Sequence, residues 1–131
     1  MTIAVDFDGT IVEHEYPRIG REKPFAIETL KMLRSEGNRL ILWTSREGKL
    51  LEEAVEWCHA RGLDFYAVNS NQPSDAMLRH DTTKVLADVY IDDRNIGGIP
   101  DWGEIYEMIG QQREKSHAAA RHKHHHWPFG L

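Results

Sequence analysis

Four short apolar runs, each cut off abruptly by polar residues, alternate with stretches of helical periodicity, and this alternation is the strongest constraint on the fold. The runs are Ile3 to Val5, Leu40 to Trp43, Phe65 to Val68 and Val85 to Ile91. They are short and rich in β-branched or bulky residues, as buried strands are. Between the first two, Phe25, Ile27, Leu30, Leu33 and Arg34 fall on a helical repeat that Gly37 should terminate, because glycine readily takes the left-handed cap conformation. Between the second and third, Leu50, Leu51, Ala54, Val55 and Cys58 predict another helix, with Gly62 just beyond its end. A last amphipathic helix is predicted over Trp102 to Ile109. Residues 11 to 24 lose periodicity and carry two prolines and a glycine, which predicts a loop or small hairpin.

Strands alternating with helices at this spacing imply an α/β fold: a three-layer, Rossmann-like arrangement with a mainly parallel central sheet and helices on both faces. Ligands of such sheets bind outside the carboxyl ends of the strands. Polar residues stand at those ends here. Asp6 and Asp8 follow the first run, Thr44 and Ser45 the second, and Asp92 and Asp93 the fourth, so three segments should converge on one crevice.

The chain has 131 residues, enough for one catalytic core but not for a second independent domain. We assign that core to residues 1–110. Residues 111–131 form a polar, His-rich C-terminal tail containing His122, His124, His125 and His126. Neutral imidazoles at that density suit Zn or Ni, and Trp127 and Phe129 are candidate anchors for a subunit contact. The net charge of -5 gives no broad electrostatic footprint for nucleic acid, which is left open as a partner but unsupported. The single cysteine, Cys58, sits within a helical pattern as a small hydrophobe and cannot form an internal disulfide. The N-terminus lacks the features of a signal peptide, and no stretch approaches the roughly 20 apolar residues that span a bilayer. A reducing cytoplasm is the expected location.

The segment Asp6-Phe7-Asp8-Gly9-Thr10 carries the chemistry. A carboxylate attacks phosphorus only when the phosphate charge is neutralised and a proton reaches the leaving oxygen, and two aspartates two apart can divide that work. Mg²⁺ is the natural bridge, a hard cation that takes one or two carboxylates, waters and a substrate oxygen. Gly9 lets the backbone turn tightly, so that nearby N–H groups point at phosphate. A calcium loop fits poorly: counted from Asp6, the twelfth position, where an EF-hand needs Glu, is Pro17.

These residues resemble the haloacid dehalogenase-like (HAD) hydrolase superfamily, whose nucleophile motif is DxDGT. Leu40 to Thr44 is similar to its second motif, Lys84 sits where the third-motif lysine would fall, and Val89-Tyr90-Ile91-Asp92-Asp93 is similar to the fourth. The resemblance spans Ile3 to about Asn95. It implies Asp6 as nucleophile and metal ligand, and Asp8 as acid/base that also binds metal through its backbone carbonyl. Thr44 is implied as a phosphoryl-binding hydroxyl, with Gly9 and Ser45 beside it. Asp93 would be the remaining direct ligand, Asp92 would sit nearby or on a metal-bound water, and Lys84 would hold Asp6 and the phosphoryl group by charge. Lys49 and Arg46 are alternative sources of that charge. Neither interval that hosts cap domains in this superfamily is long enough for a sizeable one, which implies a capless phosphatase acting on a phosphorylated substrate. An open crevice admits large substrates or is closed by a second subunit, so a homo-oligomer stays open. Arg18, Arg21, Arg46, His80 and Arg94 are candidate rim contacts. Two alternatives remain: a phosphatase of nucleotides or nucleic-acid ends, and a metal- or phosphate-binding regulatory domain without turnover.

Overall fold

A computed structural model describes residues 1–73 and 85–125, with side chains through residue 118. In chain order the elements are β1 (Thr2–Val5), α1 (Ala26–Ser35), β2 (Arg39–Leu42), α2 (Gly48–Ala60), β3 (Ala67–Val68), β4 (Val89–Ile91) and α3 (Trp102–His125). All pairings are parallel, in the order β3-β2-β1-β4. The expected Rossmann-like α/β fold with a parallel sheet is the one observed, but the three described helices share one face instead of covering both.

The strand pleat divides the core. Ile3, Val5, Leu40 and Leu42 face one side, where the apolar stripes of all three helices meet them through Ile27, Leu30, Leu33, Leu51, Ala54, Cys58, Trp102, Ile105 and Ile109. Ala4, Ile41 and Ala67 face the other side and pack with Val85, from the connection between β3 and β4. Of that connection, residues 69–73 and 85–88 are described, and no described helix lies there. The N-terminal ammonium is fixed by the buried Asn38 side chain, which also donates to the Leu33 carbonyl behind the end of α1.

Strands β1 and β2 match the sequence expectation to within one residue at each end, and three other boundaries differ by more. Strand β4 begins at Val89 rather than Val85. Val85 instead closes the second core cluster, and its carbonyl accepts a hydrogen bond from the Tyr90 hydroxyl. Strand β3 is confined to Ala67–Val68, although the Tyr66 amide still donates to the Leu40 carbonyl at 2.8 Å. The helix expected to stop at Ile109 runs on to His125, through the residues assigned to the tail. Asp101 caps its start through the Glu104 amide at 2.9 Å. Beyond Ile109, Arg113 donates to the Glu36 carbonyl at the end of α1, and the sequence that follows is rich in strong helix formers.

Residues 11–23 form the expected small hairpin. Its base is closed by hydrogen bonds from the Lys23 amide to the Ile11 carbonyl and from the Glu13 amide to the Arg21 carbonyl, at 2.8 and 2.7 Å. Gly20 makes this possible, since a Cβ there would lie 2.1 Å from the Glu13 carbonyl oxygen. No described helix is long and apolar enough to cross a membrane.

Candidate active site

Strand order locates the crevice. From β1 the chain steps outward to β2 and β3, and the next strand, β4, returns to the opposite side of β1. The strand order therefore reverses at the β1/β4 boundary, the topological switch point where open α/β sheets bind ligands. Register then aligns the polar residues. Val5 pairs with Leu42 on one side and Ile91 on the other, so Asp6, Trp43 and Asp92 leave the sheet at one level. The Asp6 amide donates to the Ile91 carbonyl at 3.0 Å, which extends the ladder one residue and seats Asp6 beside the paired acids.

Asp6, Asp92 and Asp93 each offer a carboxylate oxygen, and these oxygens lie within 4.8 Å of one another. At that separation two unit charges repel by roughly 3–4 kcal/mol for an effective dielectric of about 20. Burial, followed by the charges of Asp92, Asp93 and Asp8, pushes the Asp6 carboxyl up to about 7, although the Phe7 amide donates to it and favours its ionised form. Asp93 is crowded in another way. Its Oδ1 is buried without a hydrogen-bond partner among the described residues, and its Oδ2 occupies the space where a Gly9 Cβ would stand, 2.2 Å from that position.

Asp92 and Asp93 differ in their commitments. One Asp92 oxygen already accepts the Arg94 amide at 3.0 Å, and the Asp92 carbonyl accepts the Asn95 side chain. Asp93 Oδ1 carries no such commitment among the described residues.

Gly9 serves the site through its missing side chain rather than its amide. Its φ is 83°, and its N–H is taken by the Val12 carbonyl at 2.8 Å. The amides of Thr10, Ile11 and Val12 all turn back to the Phe7 carbonyl, so the turn commits to itself the N–H groups expected to face phosphate. The indole of Trp102 pins the turn from below by donating to the Thr10 carbonyl at 3.1 Å.

Thr44 is buried at the end of β2, and its hydroxyl accepts the Arg46 amide at 3.1 Å. This closes a local turn and leaves the hydroxyl hydrogen able to donate elsewhere. It does not cap α2, whose N-cap is Glu47. The Thr44 amide donates to the Asn69 side chain at 2.8 Å. Asn69, at the end of β3 with φ 53°, is a supporting residue absent from the sequence expectation. Its signal was its position, directly after an apolar run. Ser45 is exposed beside Thr44.

The candidate cations separate clearly. Lys84 and His80 lie outside the described residues. Arg18, Arg21, Arg94 and Lys49 are exposed. Arg46 is corrected from a rim contact to a fully buried residue at 0% exposure, where its guanidinium grips both oxygens of Asp8.

A Rossmann-like sheet with an acidic crevice at its carboxyl edge is the class that fold and site define. No family model matches the chain, and no curated protein matches it. Among solved structures, a conserved protein from Bacteroides thetaiotaomicron is 65% identical, with a TM-score of 0.79, over 86% of this chain and 91% of that one. The chain belongs to the same family as that conserved protein.

Proposed function

We propose that the protein is a Mg²⁺-dependent phosphohydrolase of the HAD-like type, cleaving phosphate monoesters through an aspartyl-phosphate on Asp6. The observation that carries this reading is the cluster of Asp6, Asp92 and Asp93 at the switch point, with a buried Asp93 oxygen that has no partner among the described residues. Three hard carboxylate oxygens and an unsatisfied acceptor are the donor set a hard divalent cation requires. Asp6 and Asp93 would hold Mg²⁺ directly, joined by the Asp8 backbone carbonyl, with Asp92 steadying the second acid. Bound there, the ion would supply charge neutralisation for the phosphoryl oxygens.

The residues then divide the work. Asp6 attacks phosphorus as the ester oxygen departs with a proton from Asp8. Water next attacks the aspartyl-phosphate while Asp8 takes a proton from it, which restores both carboxyls and releases inorganic phosphate. The Thr44 hydroxyl, with Ser45 beside it, orients the phosphoryl group, and Lys84 adds charge. The cytoplasm is the location this chemistry and the lone buried cysteine favour. A panel of phosphate monoesters assayed with Mg²⁺ tests the reading. Release of phosphate that is abolished by EDTA is the expected result; silence across the panel would remove it.

A further inference from the structure

Arg46 is the largest fully buried side chain among the described residues, and arginine is almost never fully buried unless paired. Its guanidinium has five N–H donors, and five acceptors meet them. Nε and Nη2 each donate to one Asp8 carboxylate oxygen at 2.8 Å. Nη2 also donates to the Arg18 carbonyl at 2.9 Å, and Nη1 to the carbonyls of Pro17 at 3.2 Å and Leu50 at 3.5 Å. The rings of Phe7 and Tyr16 each lie 5.2 Å from its central carbon. One planar group thus joins the motif turn, the tip of the 13–21 loop and the first turn of α2.

To serve the leaving group Asp8 must carry a proton on one oxygen and turn it toward the ester, yet both of its oxygens accept hydrogen bonds from this fork. Freeing one strands a buried charged donor, which is costly unless the guanidinium shifts and finds another acceptor. The same guanidinium holds the Pro17 and Arg18 carbonyls, so any such shift is transmitted to the loop.

We propose that Arg46 is a positioning residue that couples the 13–21 loop to Asp8, so that loop position and presentation of the Asp8 carboxylate change together. On its outer side the loop carries Arg18 and Arg21, whose side chains are 84% and 88% exposed and only loosely paired with Glu15 and Glu13. An anionic substrate drawn to these arginines pulls on the loop that Arg46 ties to Asp8. The catalytic half of this proposal rests on the phosphohydrolase reading; the coupling itself does not.

Arg46→Met would strand the Asp8 charge and risks misfolding, so the informative variants are Arg46→Lys and Asp8→Asn in the full chain. Lysine keeps the charge but cannot span both oxygens and reach the loop carbonyls. Limited trypsin digestion reports the loop, by cleavage after Arg18 and Arg21 measured against cleavage after Arg94 in the same molecule. Both variants should raise that ratio about tenfold, the effect of losing one charge-assisted hydrogen bond on a local opening equilibrium. In ester hydrolysis, Arg46→Lys should lower kcat on the order of 100-fold with KM held within about threefold. An unchanged ratio in Asp8→Asn, or equal acceleration at all three sites, overturns the coupling. If the ratio rises in both variants while the wild type hydrolyses no ester, the coupling stands and the phosphohydrolase reading falls.

Discussion

On the proposed Mg²⁺ reading, the acidic cluster would make metal binding, together with folding stability, depend on pH in a defined direction. The perturbation is a change from pH 8 to pH 6, with and without Mg²⁺. Asp6 titrates at about 7 in the folded protein, against an ordinary value of 3.8. Below 3.8 the group is protonated in both states and costs nothing. Between the two values the folded chain holds a proton that the unfolded chain has lost, so metal-free stability falls as pH rises from about 4 to about 7. The full penalty is on the order of 4 kcal/mol above pH 7. Mg²⁺ needs the carboxylate and must displace that proton. Going from pH 8 to pH 6 converts a largely ionised Asp6 to one about 90% protonated, so apparent Mg²⁺ affinity should drop about tenfold. Thermal denaturation with and without Mg²⁺ at the two pH values measures the stability arm. Titration calorimetry in two buffers of different ionisation enthalpy measures the proton, with about half a proton released per Mg²⁺ bound at pH 7. Equal Mg²⁺ stabilisation at both pH values, with no proton released, would refute the reasoning.

Asp93→Asn removes a charge from the cluster while keeping its shape; the metal-free variant should melt higher than wild type at pH 8 and gain nothing from Mg²⁺. Gly9→Ala places a methyl group 2.2 Å from Asp93 Oδ2 at φ 83°, so it should lower stability by about 1–3 kcal/mol in denaturant melts and abolish the Mg²⁺ response. Asn69→Ala removes the acceptor for the Thr44 amide and should cost about 1–3 kcal/mol, with hydrolysis reduced even where the protein remains folded. Burial pushes the Cys58 thiol up to about 12, so iodoacetamide at pH 8 should label it only as fast as the chain opens, and denaturant should accelerate labelling sharply.

Much of this arrangement was legible in the residues. The end of β1, the end of β2 to within one residue, and the acids after β1 and β4 were readable, because an apolar run stopped by a polar residue reports a strand and roughly where it terminates. What one-dimensional pattern could not convey is pairing between distant side chains. Arg46 follows Thr44-Ser45 and reads as a surface cation, yet its burial depends on Asp8, 38 positions earlier, and on two loop carbonyls. Gly9 was read as a turn residue. Its closer constraint is the carboxylate of Asp93, which no local motif announces. The length of α3 was underestimated because its apolar stripe ends at Ile109, while its continuation relies on propensity and on the Arg113 contact with α1. Lys84 lies outside the described residues, and its assigned role stands on the resemblance alone.

The most direct test of the central claim is single-turnover hydrolysis of a phosphate monoester by wild type and Asp6→Asn in saturating Mg²⁺, with acid quench to trap phosphorylated protein. The account predicts a transient phosphoenzyme on Asp6 in the wild type, and neither phosphoenzyme nor phosphate release in the variant. Full phosphate release by Asp6→Asn would contradict it.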